Sequence, residues 1–181
     1  IYVQSPFPKE NRRILIGSDV SSRYTRRNRA EYRKIAGYIA RCVWQRQGNY
    51  MVFFPSYRLM EDVLQVYEEE FSVDWVRCVC QTPDMTEQER EGFLEEFQER
   101  EGTLVGFCVL GGIFSEGVDL TGESLIGAVI VGTGLPQIGS QREILKEYYD
   151  KKNHCGFDYA YRYPGMNKVL QAAGRVIRTK E

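Results

Sequence analysis

Near the carboxyl end of the chain, Gln171, Gly174, Arg175 and Arg178 stand at i, i+3, i+4 and i+7, the spacing of one helical face. Two guanidiniums about one turn apart present planar forks suited to phosphate oxygens. Gly174 between them costs about 1 kcal/mol in a helix interior, so its place there suggests a ligand that approaches the backbone closely. Met166, Val169, Leu170, Ala173 and Ile177 form the opposite face, the one expected to pack, and Pro164 suits a first helical position. An amphipathic surface helix with two solvated arginines fits this spacing equally well.

Other stretches also have the makings of a phosphate or nucleic-acid site. Gly112 and Gly117 share the frame of a phosphate-cradling loop, but Val118-Asp119 follows where that loop needs Lys and Ser or Thr. What remains is a glycine-flanked turn after a strand-like run. On its own it reads more readily as a loop whose glycines permit positive φ and whose Asp119 caps a turn. Pro55-Ser56-Tyr57 also follows a strand-like run; Ser56 can cap the next helix, and Tyr57 can either stack on a base or pack. Tyr24 beside Arg23 and Arg27, and Tyr159, Tyr161 and Tyr163 around Arg162, mix aromatic and basic residues as single-strand grooves do, although twelve tyrosines make such neighbours common. Gly132-Thr133-Gly134-Leu135-Pro136 lacks the third glycine of a dinucleotide fingerprint, which excludes that chemistry there.

These residues need elements to hold them. Tyr32, Ile35, Ala36, Ile39 and Val43 recur at helical spacing within 29–47, and Gly48-Asn49 stops the run. A β-prone segment at 50–54 follows, then a helix striped by Met60, Val63, Leu64 and Tyr67. Residues 75–80 read as a strand, Thr86 and Glu89 as a capping box ahead of a helix with Phe93, Leu94 and Phe97, and 103–110 as another strand. A further strand is expected at 125–131, with helices at about 142–152 and 165–179. This alternation argues for an α/β fold with a largely parallel sheet and helices on both faces. Without internal repeats or a low-complexity linker, residues 1–181 read as a single domain.

Composition agrees with a globular chain of one domain: 43% of the 181 residues are hydrophobic and 27% charged, and no stretch is long and apolar enough for a membrane span. With no secretory signal pattern, a cytoplasmic location is expected. Five cysteines without Cys-x-x-Cys spacing read as reduced, buried thiols, and the single histidine, His154, has no companions for a metal site, so no metal is expected. Net charge is −1, yet nine basic residues face three acids between Lys9 and Lys34, whereas fourteen acids face three arginines between Glu61 and Glu101. The basic segment is a candidate phosphate-contacting surface, or equally an arginine-rich solvated helix start.

The string Gln171-Ala172-Ala173-Gly174-Arg175-Val176-Ile177-Arg178 resembles motif VI of superfamily 2 helicases, specifically the Rad3/XPD/DinG branch. Phe53 to Tyr57 resembles that branch's motif IV, and Gly112 to Leu120 its motif V. Ser21-Ser22-Arg23-Tyr24 with Arg27, Gly134-Leu135-Pro136 and Ile144-Leu145-Lys146 are similar to further landmarks, in the expected order. The resemblance implies a RecA-like three-layer domain, the second motor domain of an ATP-dependent DNA helicase that moves 5′ to 3′ along single-stranded DNA in repair or replication. It implies that Arg175 and Arg178 stabilise charge on the γ-phosphoryl group, that Gln171, Gly174, Gly117 and Asp119 meet the nucleotide, and that Ser56, Tyr57, Ser115, Glu116, Arg23 and Arg27 meet DNA. This sequence has no Gly-x-x-x-x-Gly-Lys-Ser/Thr, Asp-Glu-x-His box or four-cysteine cluster. ATP and Mg²⁺ are therefore expected on a first RecA-like domain of the same polypeptide, outside this chain, as is any iron–sulfur domain. The isolated chain, expected to be a monomer, should then be inactive as an ATP hydrolase. The rival reading is a non-catalytic nucleic-acid-binding or scaffolding module that kept the fold.

Overall fold

The computed structural model describes residues 8, 10, 13–98, 102–114 and 124–176. In chain order its elements are α1 (Arg29–Val43), β1 (Asn49–Phe54), α2 (Tyr57–Glu70), β2 (Val76–Cys80), α3 (Glu87–Glu96), β3 (Thr103–Val109), β4 (Gly127–Ile130), α4 (Ser140–Asn153) and α5 (Tyr163–Ala173). The four strands form one sheet in the order β2-β3-β1-β4, and every pairing is parallel. From α1 to β3, helices and strands alternate as the apolar periodicities predict.

Side-chain alternation divides the core into two layers. Tyr50, Val52 and Phe54 of β1 and Val105, Phe107 and Val109 of β3 point to the face covered by α1 and α2, against Ile35, Ile39, Leu59, Val63 and Tyr67. Met51 and Phe53 of β1, with Leu104 and Cys108 of β3, point to the other face, against Phe93 and Phe97 from α3 and its end and Ala172 of α5. Both central strands are therefore buried on both sides, as a parallel sheet between helices requires. Gly106 has a packing task here: a Cβ on it would lie 2.6 Å from the Phe97 ring and 3.1 Å from that of Phe93.

The helix starts follow local chemistry. Asn28 caps α1 by accepting from the Glu31 amide, Ser56 caps α2 by accepting from the Leu59 amide, and Thr86 with Glu89 forms the expected reciprocal box at α3. Between α4 and α5 the chain makes a π-helical turn, Asp158–Arg162, that periodicity does not foresee. It is held by Arg142, whose guanidinium donates to the Ala160 carbonyl at 2.9 Å, and by the buried Tyr161, whose hydroxyl bonds Glu143 at 2.5 Å. Tyr159 stacks on Tyr149 with centroids 3.9 Å apart, and Tyr163 meets Tyr159 edge-on. The tyrosines around Arg162 thus contribute largely to joining this turn to α4.

The last helix differs most from expectation. It ends at Ala173 and Gly174 takes the cap position with φ −64°, so the glycine closes the helix and is not an interior residue. The predicted packing face is only partly used: Leu170 is 63% exposed and Met166 38%, Val169 and Ala173 are half-buried and Ile177 lies outside the described residues, while Gly165 and Ala172 are buried. Gly165 abuts the Thr133 carbonyl and Leu135, where a larger residue would not fit. Close packing selected small residues, which a ranking by hydrophobicity passes over.

Candidate nucleic-acid and nucleotide interface

In a parallel sheet the strands all end on one edge, and that is where ligands bind in open α/β folds. Successive amides tie the ends together: Gln81 donates to the Phe107 carbonyl at 2.8 Å, Leu110 to Phe54 at 2.8 Å and Val131 to Phe53 at 2.8 Å. Four segments that carry described candidate residues approach this edge, whereas Tyr159, Tyr161, Arg162 and Tyr163 lie in the turn after α4.

The first is Pro55-Ser56-Tyr57, after β1. The Ser56 hydroxyl lies 3.4 Å from the Leu59 amide that it caps, and the Ser56 carbonyl accepts from Met60 at 3.1 Å. Tyr57 is half-buried against the α1–α2 core, and its hydroxyl accepts from the Gln81 side-chain amide at 2.9 Å. Burial pushes its phenol up, with the Cys108 thiol and Asp84 adding to the shift, so Tyr57 is a neutral ring anchored at its tip.

The second segment runs from Ser21 to Arg27. The Ser21 amide donates to Glu31 at 2.8 Å, and Ser22 sits so close to Gly132, at the end of β4, that any side chain there would collide with it. Gly132 also has φ 76°, which only glycine adopts without strain. Arg23 is exposed, whereas Arg27 is half-buried, with its guanidinium 5.5 Å from the centre of the Tyr24 ring and its Nε 3.5 Å from the Ser22 carbonyl. The rest of the basic segment divides its labour. Arg29 pairs with Glu69 at 2.7 Å and Glu70 at 3.1 Å, Arg33 pairs with Glu70, and Lys34 donates to the Asp19 carbonyl. Glu69 and Glu70 are held below the usual carboxylate range, first by their hydrogen bonds to Arg29 and Arg33 respectively. The basic run is therefore not one phosphate-facing surface, since its α1 half is matched to the acidic end of α2.

The third and fourth segments meet each other. After β3 the chain turns at Gly111, with φ 72°, and Gly112, whose amide donates to the Val109 carbonyl at 3.2 Å. Lys168 of α5 reaches over this turn: its Cε and Nζ stand 3.0 and 3.1 Å from where a Gly111 Cβ would be. Gln171 is exposed on the same helix, and Arg175 is half-buried in the turn that follows Gly174. Ser115, Glu116, Gly117 and Asp119, and likewise Arg178, lie outside the described residues.

Lys168 and Gln81 are the two residues here that sequence reasoning missed. Lys168 stands three residues before Gln171, a helical spacing that could have revealed it; Gln81 follows a strand with no motif around it. Cys78 and Cys80 behind the edge are free thiols, each pushed up to about 11 by burial and so protonated at neutral pH. Taken together, the edge offers amides, hydroxyls and cations from four segments, which suits a phosphate-bearing ligand more than acid–base work on a small molecule.

The helicase C-terminal domain family matches residues 39–181. A probable ATP-dependent helicase of Methanocaldococcus jannaschii is 27% identical over 99% of this chain and 29% of its own length. The ATP-dependent DNA helicase XPD of Sulfolobus acidocaldarius is 28% identical over 90% of this chain and 28% of its own. The chain thus spans under a third of the length of these curated relatives. Among solved structures, an apo XPD matches 87% of this chain and 31% of its own at TM-score 0.66 and 23% identity. An XPD helicase matches 88% of this chain and 28% of its own at TM-score 0.68 and 24% identity. On the match over most of its length, the chain belongs to the helicase C-terminal domain family, and within it is of the XPD/Rad3-like superfamily 2 type.

Proposed function

We propose that this chain is the second motor domain of an ATP-driven DNA helicase, gripping single-stranded DNA and completing a nucleotide site held by a first motor domain. The observation that carries this reading is the convergence of four segments at one sheet edge: Ser56-Tyr57, Arg23 to Arg27, the Gly111-Gly112 turn and the Lys168–Arg175 side of α5. The first two supply DNA contacts, together with Ser115 and Glu116 of motif V. Gln171, Gly174, Gly117 and Asp119 meet the nucleotide, and Arg175 and Arg178 are the arginine fingers.

The donor set agrees with that division. Lys168, Gln171 and Arg175 are donors suited to phosphate oxygens. ATP and Mg²⁺ would be held by the other domain, and Mg²⁺ there would neutralise charge between the phosphates. On this side the guanidiniums of Arg175 and Arg178 stabilise charge that grows on the transferred group, and Gln171 orients near it. Closing the cleft between the domains advances the strand, and reopening it resets the grip.

Among the described residues no helix is long and apolar enough to cross a membrane, and the reading places the protein with DNA in the cytoplasm. A fluorescence anisotropy titration with a labelled single-stranded oligonucleotide tests the DNA half directly. Binding that weakens linearly in log Kd against log salt is expected, because phosphate contacts release counterions. No binding at low salt with millimolar protein would refute it.

A further inference from the structure

We propose that Gln81 is the positioning residue that locks the motif IV tyrosine to the strand end feeding motif V, so that the two DNA-contacting segments act as one surface. The inference rests on the DNA-binding reading above and goes beyond it, since Gln81 lies outside the stretches that resemble motifs IV, V and VI.

Gln81 is a polar residue only 3% exposed, at the point where β2 ends. Its backbone amide still belongs to the sheet, donating to Phe107 at 2.8 Å. Its side chain then leaves the ladder and does two things. Oε1 accepts from the Val109 amide at 3.0 Å, and Nε2 donates to the Tyr57 hydroxyl at 2.9 Å. Leu110, the next residue, bonds toward β1. Val109 therefore turns its amide toward β2, where the strand has stopped, and the glutamine carbonyl takes the place of the missing backbone acceptor. Leaving that amide unpaired would carry the full cost of a buried donor.

The second bond is the one with functional content. Satisfying Val109 needs only an acceptor, which a glutamate carboxylate or a longer strand would supply; donating to Tyr57 needs the amide nitrogen as well. A Cβ on Gly112 would stand 3.1 Å from the same Nε2, so the side-chain amide touches the start of the motif V turn as well. Tyr57, Val109 and Gly112 thus converge on one planar group. With its hydroxyl held from below, the Tyr57 ring keeps one orientation, and a stacking partner is spared the entropy of ordering it.

The test is a double-mutant cycle in the full-length protein, with Gln81→Met and Tyr57→Phe. Methionine keeps the length and removes both bonds; phenylalanine keeps the ring and removes only the hydroxyl. Anisotropy with a labelled single-stranded oligonucleotide is read at a temperature well below each variant's melt. Each single variant is expected to bind roughly three- to tenfold more weakly, and the double variant no worse than the weaker single. A Gln81→Met protein that melts earlier but binds like wild type would make Gln81 purely structural and overturn the proposal. Losses that multiply in the double variant would overturn it too, since Gln81 would not then act through Tyr57. If the unaltered protein fails to bind DNA, the functional reading falls first and this inference with it.

Discussion

Tyr67→Phe should stabilise the protein. Tyr67 is only 1% exposed, its ring meets Phe107 edge-on at 5.8 Å and stacks with Phe71 at 6.4 Å, yet among the described residues its hydroxyl has no hydrogen-bond partner. A buried, unpaired hydroxyl gives up its water without recompense, a cost of about 1–3 kcal/mol. Phenylalanine keeps both ring contacts, so a gain of about 1 kcal/mol is expected after allowing for the small void left behind. In a chain of this size that raises Tm by roughly 2–4 °C. Alkaline pH adds a second signature. Burial, aided by the Cys78 thiol, pushes the Tyr67 phenol far above its ordinary range. A raised folded-state value means the contribution is intact below about pH 10, the ordinary phenol value, and is lost as pH climbs toward the folded one. Cys78 and Cys80, pushed up to about 11, add the same trend between their ordinary value of 9.0 and that figure. Urea unfolding at pH 7 and at pH 10.5 should show a higher midpoint for Tyr67→Phe at unchanged slope, with the larger advantage at pH 10.5. A variant less stable than wild type by more than about 0.5 kcal/mol would mean that the hydroxyl is bonded, and would refute the reasoning.

Two further substitutions probe the sheet and its edge. Gly106→Ala places a methyl against the Phe97 and Phe93 rings and should cost about 1–3 kcal/mol in a urea titration, with DNA affinity of the folded protein retained. Lys168→Gln should lower the slope of log Kd against log salt for single-stranded DNA by about 0.7 if its ammonium meets a strand phosphate. An unchanged slope with a raised KM for ATP would assign Lys168 to the nucleotide instead.

Much of this architecture is visible in the sequence, because the signals that announce it are local. Thr86 and Glu89 are three residues apart and cap the same helix; the stripe of Ile35, Ile39 and Val43 needs only helical spacing to be seen. The placement of Ser56 and Tyr57 at a strand end follows from Pro55 stopping a β-prone run. The misreadings share another cause, which is that tertiary contact decided them. The face of α5 that packs is the one with small residues, since Gly165 meets the Thr133 carbonyl and a longer residue would hold the helix away. Arg29 and Arg33 look available for phosphate until α2, some forty positions on, brings Glu69 and Glu70 to them. Gln81 is invisible for the same reason: its partners Tyr57 and Val109 lie 24 and 28 positions away, joined only when the three strands end together.

In the proposed role, Arg175 and Arg178 reach across the cleft to complete an ATP site on the first motor domain of the same polypeptide, and hydrolysis by their variants decides whether they do. Steady-state ATPase of the full-length protein, with saturating single-stranded DNA, is compared for wild type, Arg175→Ala, Arg178→Ala and Arg178→Lys, each checked by thermal melt and DNA titration. A fall in kcat that reaches about 10³-fold is expected for the alanine variants, with melts and DNA affinity close to wild type. Lysine should not rescue it, since it keeps the charge but loses the planar fork. Near-normal kcat in both alanine variants would overturn the finger assignment and leave a nucleic-acid-binding module that carries the helicase fold without its motor role.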